Sequence, residues 1–361
     1  LRILSYAIAG LIASNAVQAL PINATITGGT PILSNGNRTV VDNNTSASIS
    51  VSKSQSTTAT ISQFDSSQGV LVGVTATLTP GNASTYLRAD GALAARGSAS
   101  VDASWAGSGG LNASGNLNSI SKIDNFDGRD NSWNPLTQTI TDGTNLNGWV
   151  GPGSIISTIN TTITSNRIEG GSNIALMAGI SSSGTNSNGS TTTSLVNLNS
   201  AYTVTYDYLE HAIASFDGSS TVTSLDIDFG TLVLGNSISS MGFDIFNLVG
   251  ANGVALDLTS ITLSGDTAAF VTDLGLFSDL AHGAHNSYTA SFDPISAGSF
   301  DATYLLTLSD NAIGAASSRH TYSLVLNLTA NVVNPTVLPE PSVIALLGIG
   351  LLGLFGFSRR N

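Results

Sequence analysis

AYTVTYDYL, residues 201–209, sets Tyr202, Val204, Tyr206 and Tyr208 on one face of an extended chain and Thr203, Thr205 and Asp207 on the other. A side-chain period of two marks a half-buried β-strand. The same alternation recurs in LDIDF, where Leu225, Ile227 and Phe229 oppose Asp226 and Asp228, and in YSLVLNLTA, which groups Tyr322, Leu324, Leu326 and Leu328. VLVGVTATLTPG (70–81) reads as a strand closed by a Pro-Gly turn. No amphipathic helix longer than two turns is evident between residues 20 and 335. Many short strands punctuated by Gly, Asn and Asp predict an all-β chain of two antiparallel β-sandwich modules. One is expected over 40–210 and the other over 220–333, joined by the polar stretch around Ser215–Thr221.

Both ends of the chain differ from this body. Arg2 precedes the apolar run ILSYAIAGLIA (3–13), and Val17-Gln18-Ala19 offers small residues before Leu20-Pro21. That order predicts a removable signal peptide over 1–19, with cleavage at Val17 and Ala19. The leading Leu fits an alternative start codon or a few residues lying upstream. At the other end, VLPEPSVIALLGIGLLGLFGFSRRN (337–361) joins two prolines, an uncharged run and two arginines. Pro339 and Pro341 stop structure from running into the next segment. Val343 to Phe357 predicts a short transmembrane helix. Fifteen residues at about 1.5 Å each span roughly 22 Å, short of the ~30 Å hydrocarbon core. Snorkelling by Arg359 and Arg360 extends the reach, and the positive-inside rule leaves them in the cytoplasm.

Pro339-Glu340-Pro341, the apolar run and Arg359-Arg360 resemble the PEP-CTERM sorting signal of Gram-negative bacteria. The resemblance covers about the last two dozen residues. It implies transient recognition by exosortase, a membrane-embedded cysteine protease, at the inner membrane. It also implies release to the cell surface or into an exopolysaccharide matrix. QFDSSQGVLVGVTATLTPG (63–81) is similar to the choice-of-anchor E domain at Phe64, Asp65, Gly69, Leu71, Val74 and Leu78, with Tyr202–Tyr208 as the closing strand of the module. That family implies no activity. In the second module the Phe292-Asp293-Pro294 turn and Ala297-Gly298 resemble immunoglobulin-like modules of the abnormal-spindle/hydin type.

Composition narrows the function classes. There are no cysteines, which excludes disulfides, thiol catalysis and Cys-bound metals. The net charge is −12, from 11 basic and 23 acidic residues. Loss of Arg2, Arg359 and Arg360 with the two ends leaves 8 basic against 23 acidic residues, or −15. Such a surface repels nucleic acid and anionic lipid. Only 9% of residues are charged, so the skin is mostly Ser, Thr, Asn and Gly.

Candidate chemistry is sparse. Asp124, Asp127 and Asp130 surround Gly128 with oxygen ligands that suit Ca²⁺, although the bidentate Glu of an EF-hand is missing and the same residues build ordinary turns. No other cofactor is expected. His211, His282, His285 and His320 form no zinc pattern. Glu169 and Glu210 are the only glutamates of the body, and neither has an evident carboxylate partner for glycoside cleavage. The tyrosines read as core. Trp105, Trp133 and Trp149 lie in Gly- and Asn-rich stretches and are candidates for glycan contact. The expected function is a non-enzymatic surface or matrix protein with a structural or adhesive role. The alternatives are a secreted hydrolase of matrix glycans and a permanently tethered envelope protein.

Overall fold

The computed structural model describes residues 22–27, 32–36, 49–79, 84–90, 96–123, 127–130, 134–169, 175–181, 195–199, 201–235, 240–293, 296–335 and 347–351. The signal-peptide expectation and most of the tail lie outside these residues. Within 343–357, residues 347–351 are helical, and Leu347 and Ile349 are exposed. No helix among the described residues is long and apolar enough to cross a membrane.

The chain is all-β and folds into two sandwiches, each with its own core. In the first, Ala201–Leu209 pairs antiparallel with both Ile22–Thr27 and Val70–Thr79, and Leu136–Ile140 completes that sheet. The tyrosine strand is last in the module but sits inside the sheet, and the sandwich takes in residues from Ile22 onward. The facing sheet runs in the order Ile49–Ser62, Ser154–Glu169, Arg96–Gly107, Asn112–Ile123. The alternation predicted for 201–209 holds as far as Tyr206: Tyr202, Val204 and Tyr206 are buried at 0% exposure between the two sheets, while an irregularity between Asp207 and Tyr208 leaves Tyr208 half-buried. Phe64, Leu71, Val74 and Leu78 join them. Burial of such side chains contributes about 1.5–3 kcal/mol each.

Buried polar groups in this core are paired, as burial requires. Tyr206 donates its hydroxyl to the Ser62 carbonyl at 2.6 Å, and the Ser157 and Tyr202 hydroxyls lie 3.2 Å apart. Burial pushes both tyrosine hydroxyls up from their ordinary pKa, so they remain neutral donors. One short helix, Gly143–Leu146, is capped by Asp142, whose carboxylate accepts from the Thr144 N–H and the Asn145 side chain. Smaller antiparallel groups, Ala175–Ser181 with Ser84–Asp90 and Asp127–Asp130, and Leu195–Asn199 with Ile32–Gly36, complete the module.

The second sandwich packs the sheet Ala214–Ser215, Met241–Asn247, His285–Phe292, Phe270–Thr272 against a five-stranded sheet. That second sheet runs Ser224–Val233, Thr321–Val333, Gly298–Asp310, Leu256–Gly265, Phe277–Leu280. Among the described strand pairs, Ser224–Val233 departs from the antiparallel expectation by running parallel to Thr321–Val333. Leu324, Leu326 and Leu328 fill the core at 0% exposure, as their spacing predicted.

Ser215–Thr221, expected to join the modules, is instead a tight turn of the second sandwich. Phe216 packs into that core, and its N–H donates to the Val222 carbonyl at 2.9 Å. Asp217 accepts four hydrogen bonds, from the N–H and hydroxyl of both Ser219 and Ser220. The actual crossing is Leu209–His211, and the two modules interlock there. Val70 belongs to the second core while its neighbour Leu71 belongs to the first, and Ala315 of the second module is buried in the first core.

Candidate functional site

The densest polar constellation lies at this crossing. The Leu209–His211 segment leaves the first sandwich and brings His211 between the modules. Ser66 arrives from a short 3-10 helix, Ser66–Gln68, whose start is fixed by Asp65 accepting from the Ser67 N–H at 2.9 Å. Gly69 closes that turn at φ 155°, and a Cβ there would sit 2.1 Å from the Leu209 carbonyl oxygen. Asp310 comes from the end of the Gly298–Asp310 strand, while His320 directly precedes the strand Thr321–Val333 and Tyr322 lies at its start.

Asp310 is fully buried and accepts four hydrogen bonds. Its Oδ2 faces His211 Nδ1 at 2.8 Å and the His320 N–H at 2.7 Å. Its Oδ1 accepts from the Ala212 N–H at 2.9 Å and the Tyr322 hydroxyl at 2.7 Å. Burial alone would raise the Asp310 pKa, but these donors outweigh it and hold the carboxyl below its ordinary range. Tyr322 is driven the other way, by burial and by the carboxylate it serves.

His211 has two acceptors. Nδ1 meets the carboxylate, and Nε2 lies 2.7 Å from the Ser66 carbonyl oxygen. Neither neighbour can donate, so both ring nitrogens must carry protons and the ring is an imidazolium. Burial opposes that charge, but Asp310 and Ser66 outweigh burial and raise the pKa above the ordinary histidine value. The His320 ring stacks on it at 3.6 Å and 11°.

A His-carboxylate pair of this kind also serves in Ser-His-Asp hydrolases, where the second nitrogen faces a hydroxyl. Here that position is a backbone carbonyl, which has no proton to give. The pair therefore clamps two modules together and activates no nucleophile. Around it the loop after Asp310 seals the joint. The Ser318 hydroxyl accepts from the Leu71 N–H, Leu71 accepts from the Ala315 N–H, and Asn147 Oδ1 accepts from the N–H and hydroxyl of Ser317.

The sequence-predicted residues fall elsewhere. Asp124 lies outside the described residues, and Asp127 and Asp130 open and close the strand Asp127–Asp130. Among the described residues no group of three or more His, Asp or Glu converges to hold a metal. Glu169 ends the strand Ser154–Glu169, and the exposed Glu210 hydrogen-bonds through its backbone to Asn252 and Val254. His282 lies in a turn, while His285 starts a strand with its ring 4.9 Å from Phe246.

The glycan-contact expectation is corrected for Trp105 and Trp149. Trp105 and Trp149 are 1% and 0% exposed, with their indole N–H groups donating to Gln138 Oε1 and the Gly109 carbonyl. Trp149 ends the 3-10 turn Asn147–Trp149, while Trp105 lies within the strand Arg96–Gly107. Trp133 lies outside the described residues. What sequence reasoning missed is a shallow polar groove of about 290 Å³ on the outer face of the first sandwich, lined by Asp102, Ser104, Ser114, Asn116, Asn160 and Thr162. Asp102 is held there by Asn116 Nδ2 at 2.9 Å and the Ser100 hydroxyl at 3.2 Å.

The PEP-CTERM protein-sorting motif matches residues 337–360. No curated protein matches the chain. Among solved structures, the CupB6 tip adhesin from Pseudomonas aeruginosa is 11% identical, with 88% of this chain and 100% of that chain covered and a TM-score of 0.23. The ASH/PapD-like domain 7 of human CEP192 is 15% identical over 30% of this chain and 82% of that chain, with a TM-score of 0.22. The Vibrio cholerae VesB protease is 18% identical over 35% and 37%, with a TM-score of 0.22. Scores this low carry no argument about activity.

Proposed function

We propose that this chain is an exported, exosortase-sorted protein whose paired sandwiches serve a structural or adhesive role at the cell surface. The observation that carries the reading is the sorting motif at 337–360, which follows the last strand, Thr321–Val333, after only a few residues. Pro339, Glu340 and Pro341 would mark the processing region, and Arg359 and Arg360 would hold the tail at the cytoplasmic side until release. The folded body supports a non-catalytic role. Among the described residues the buried carboxylate of Asp310 is saturated by structural donors, and the groove beside Asp102 and Asn160 is shallow and lined by polar side chains. An exopolysaccharide matrix is the partner we infer, because the uncharged hydroxyl- and amide-rich skin can exchange hydrogen bonds with glycan hydroxyls.

Mass spectrometry of the protein recovered outside the cell tests the reading. The expected C-terminus lies near Pro341, and a strain lacking exosortase should retain the chain in its inner membrane. Recovery of residues 343–361 on the released protein would overturn it.

A further inference from the structure

We propose that the groove on the outer face of the first sandwich binds one unit of a neutral glycan through Asp102, Ser104, Ser114, Asn116, Asn160 and Thr162. The proposal rests on the matrix reading above and assigns that contact to particular residues. The register of the sheet builds the site. Three adjacent strands, Ser154–Glu169, Arg96–Gly107 and Asn112–Ile123, set Thr162, Asp102 and Asn116 side by side, and two residues along they set Asn160, Ser104 and Ser114 side by side. Neighbours across strands lie about 4.8 Å apart and the two rows about 6.7 Å apart, the scale of a pyranose ring with its substituents. The opposite face of the same strands sends Ala103, Trp105 and Ile159 into the core.

A break in the register shapes the depression. The pairing slips between Val101 and Asp102, and Leu117 is the extra residue on the neighbouring strand. Such a bulge bends the strand that carries it and re-aims the side chains beside it. Leu117 turns into the core at 1% exposure, while Asn116 stays on the outer face with its Nδ2 donating to Asp102 Oδ1 at 2.9 Å. The groove that results holds about 290 Å³, with Ala103 and Gly115 contributing little or no side chain to fill it. That volume lies near the lower end of the range for small-ligand sites and suits a single sugar unit.

The lining selects hydroxyls. Asp102 is half-buried and held from two sides, by Asn116 on Oδ1 and by the Ser100 hydroxyl on Oδ2 at 3.2 Å. A carboxylate has about four acceptor sites, so a held Asp102 can still accept from ligand hydroxyls. The side chains of Ser104, Ser114 and Asn160 have no hydrogen-bond partner among the described residues and can both donate and accept. Asp102 is the only charged residue of the lining, and no Lys, Arg or His joins it. Phosphate, sulfate and uronate groups are therefore repelled, and a neutral polyhydroxylated ligand is accepted. No aromatic ring lines the groove, so stacking adds nothing. One sugar unit should bind with a dissociation constant on the order of 10⁻³ M. A matrix that repeats the unit offsets this weakness by presenting many copies.

The test uses the full chain in a detergent without sugar headgroups and saturation-transfer NMR titrations. The probes are neutral tetraoses of glucose, mannose and galactose, with a hexuronate tetraose beside them. Wild type should bind at least one neutral tetraose and favour it over the hexuronate. Asp102→Asn, which keeps the side-chain shape, should weaken binding at least fivefold. Asn160→Ala removes an exposed side chain and should weaken binding at least threefold with the unfolding midpoint unchanged, so it decides the matter if Asp102→Asn fails to fold. Absence of binding to every neutral tetraose, preference for the hexuronate, or wild-type binding in Asn160→Ala would overturn the groove. The matrix reading fails separately, if the wild-type chain does not sediment with exopolysaccharide prepared from the producing cells.

Discussion

His211 Nδ1 and Asp310 Oδ2 stand 2.8 Å apart across the joint between two sandwiches, joining residues 99 positions apart in sequence. His211 has its pKa raised above about 6.5, so its contribution to stability is complete below that value and disappears as pH climbs through the raised pKa. Asp310 has its pKa lowered from 3.8, so its contribution is complete above 3.8 and disappears as pH falls through the lowered value. The clamp is therefore fully effective between about pH 3.8 and 6.5. The difference in urea midpoint between wild type and His211→Gln should be largest in that window and shrink on the alkaline side. A constant difference from pH 5 to 9 would contradict an imidazolium at the joint. Asp310→Asn should cost about 3 kcal/mol at pH 6, because it leaves a buried cation without its partner.

Gly314 has φ 56°, and a Cβ at this position would lie 2.2 Å from the Leu71 carbonyl oxygen across the joint. Gly314→Ala should destabilise the chain by about 2 kcal/mol or more, from strain and clash together. Its effect should fall on the coupling of the modules. Wild type should lose tryptophan fluorescence, which reports the first core, in step with far-ultraviolet circular dichroism. The variant should show two separated transitions.

Trp149→Ala should cost roughly 3–5 kcal/mol, the ordinary penalty for emptying a buried tryptophan site. The ring packs edge-on to Tyr206 and comes so close to Gly109 that a Cβ there would meet its Nε1 at 2.4 Å. Chemical denaturation measures the loss. A wild-type midpoint in this variant would return Trp149 to the surface role its sequence neighbourhood suggested.

Asp217 should stay ionised far into acid. Its carboxylate accepts from Ser219 and Ser220, and these donors lower its pKa to about 2. A ¹³C NMR titration of the aspartate carboxyl resonances should find one with a midpoint of about 2. It should move part of the way back toward the ordinary carboxylate range when Ser219 and Ser220 are both changed to alanine, which removes the two hydroxyl donors and leaves the two backbone N–H donors.

Legibility from sequence followed the range of the interaction. Tyr202, Val204 and Tyr206, or Leu324, Leu326 and Leu328, could be read as buried because a period of two is local and survives without knowing the partner strand. The long strands Ile49–Ser62 and Ser154–Glu169 carried little such signal, since Ser, Thr and Asn make up most of both and large apolar residues are few and irregularly spaced. Trp149 was misread because Gly and Asn beside it report a turn, and a turn does not say where the ring goes. The His211–Asp310 clamp was invisible because nothing near either residue hints at the other. Phe216 was legible only in hindsight: an aromatic inside FDGSST was the sign that the stretch belongs to a core.

Thr321–Val333, the last strand before the tail, lies between two neighbours, parallel to Ser224–Val233 and antiparallel to Gly298–Asp310. A pull on the C-terminus acts along the axis of that strand, so both ladders are loaded in shear and their hydrogen bonds must fail together rather than peel apart one by one. On the proposed sorting route, a tail held at the bilayer would pull on a strand bonded along both of its edges.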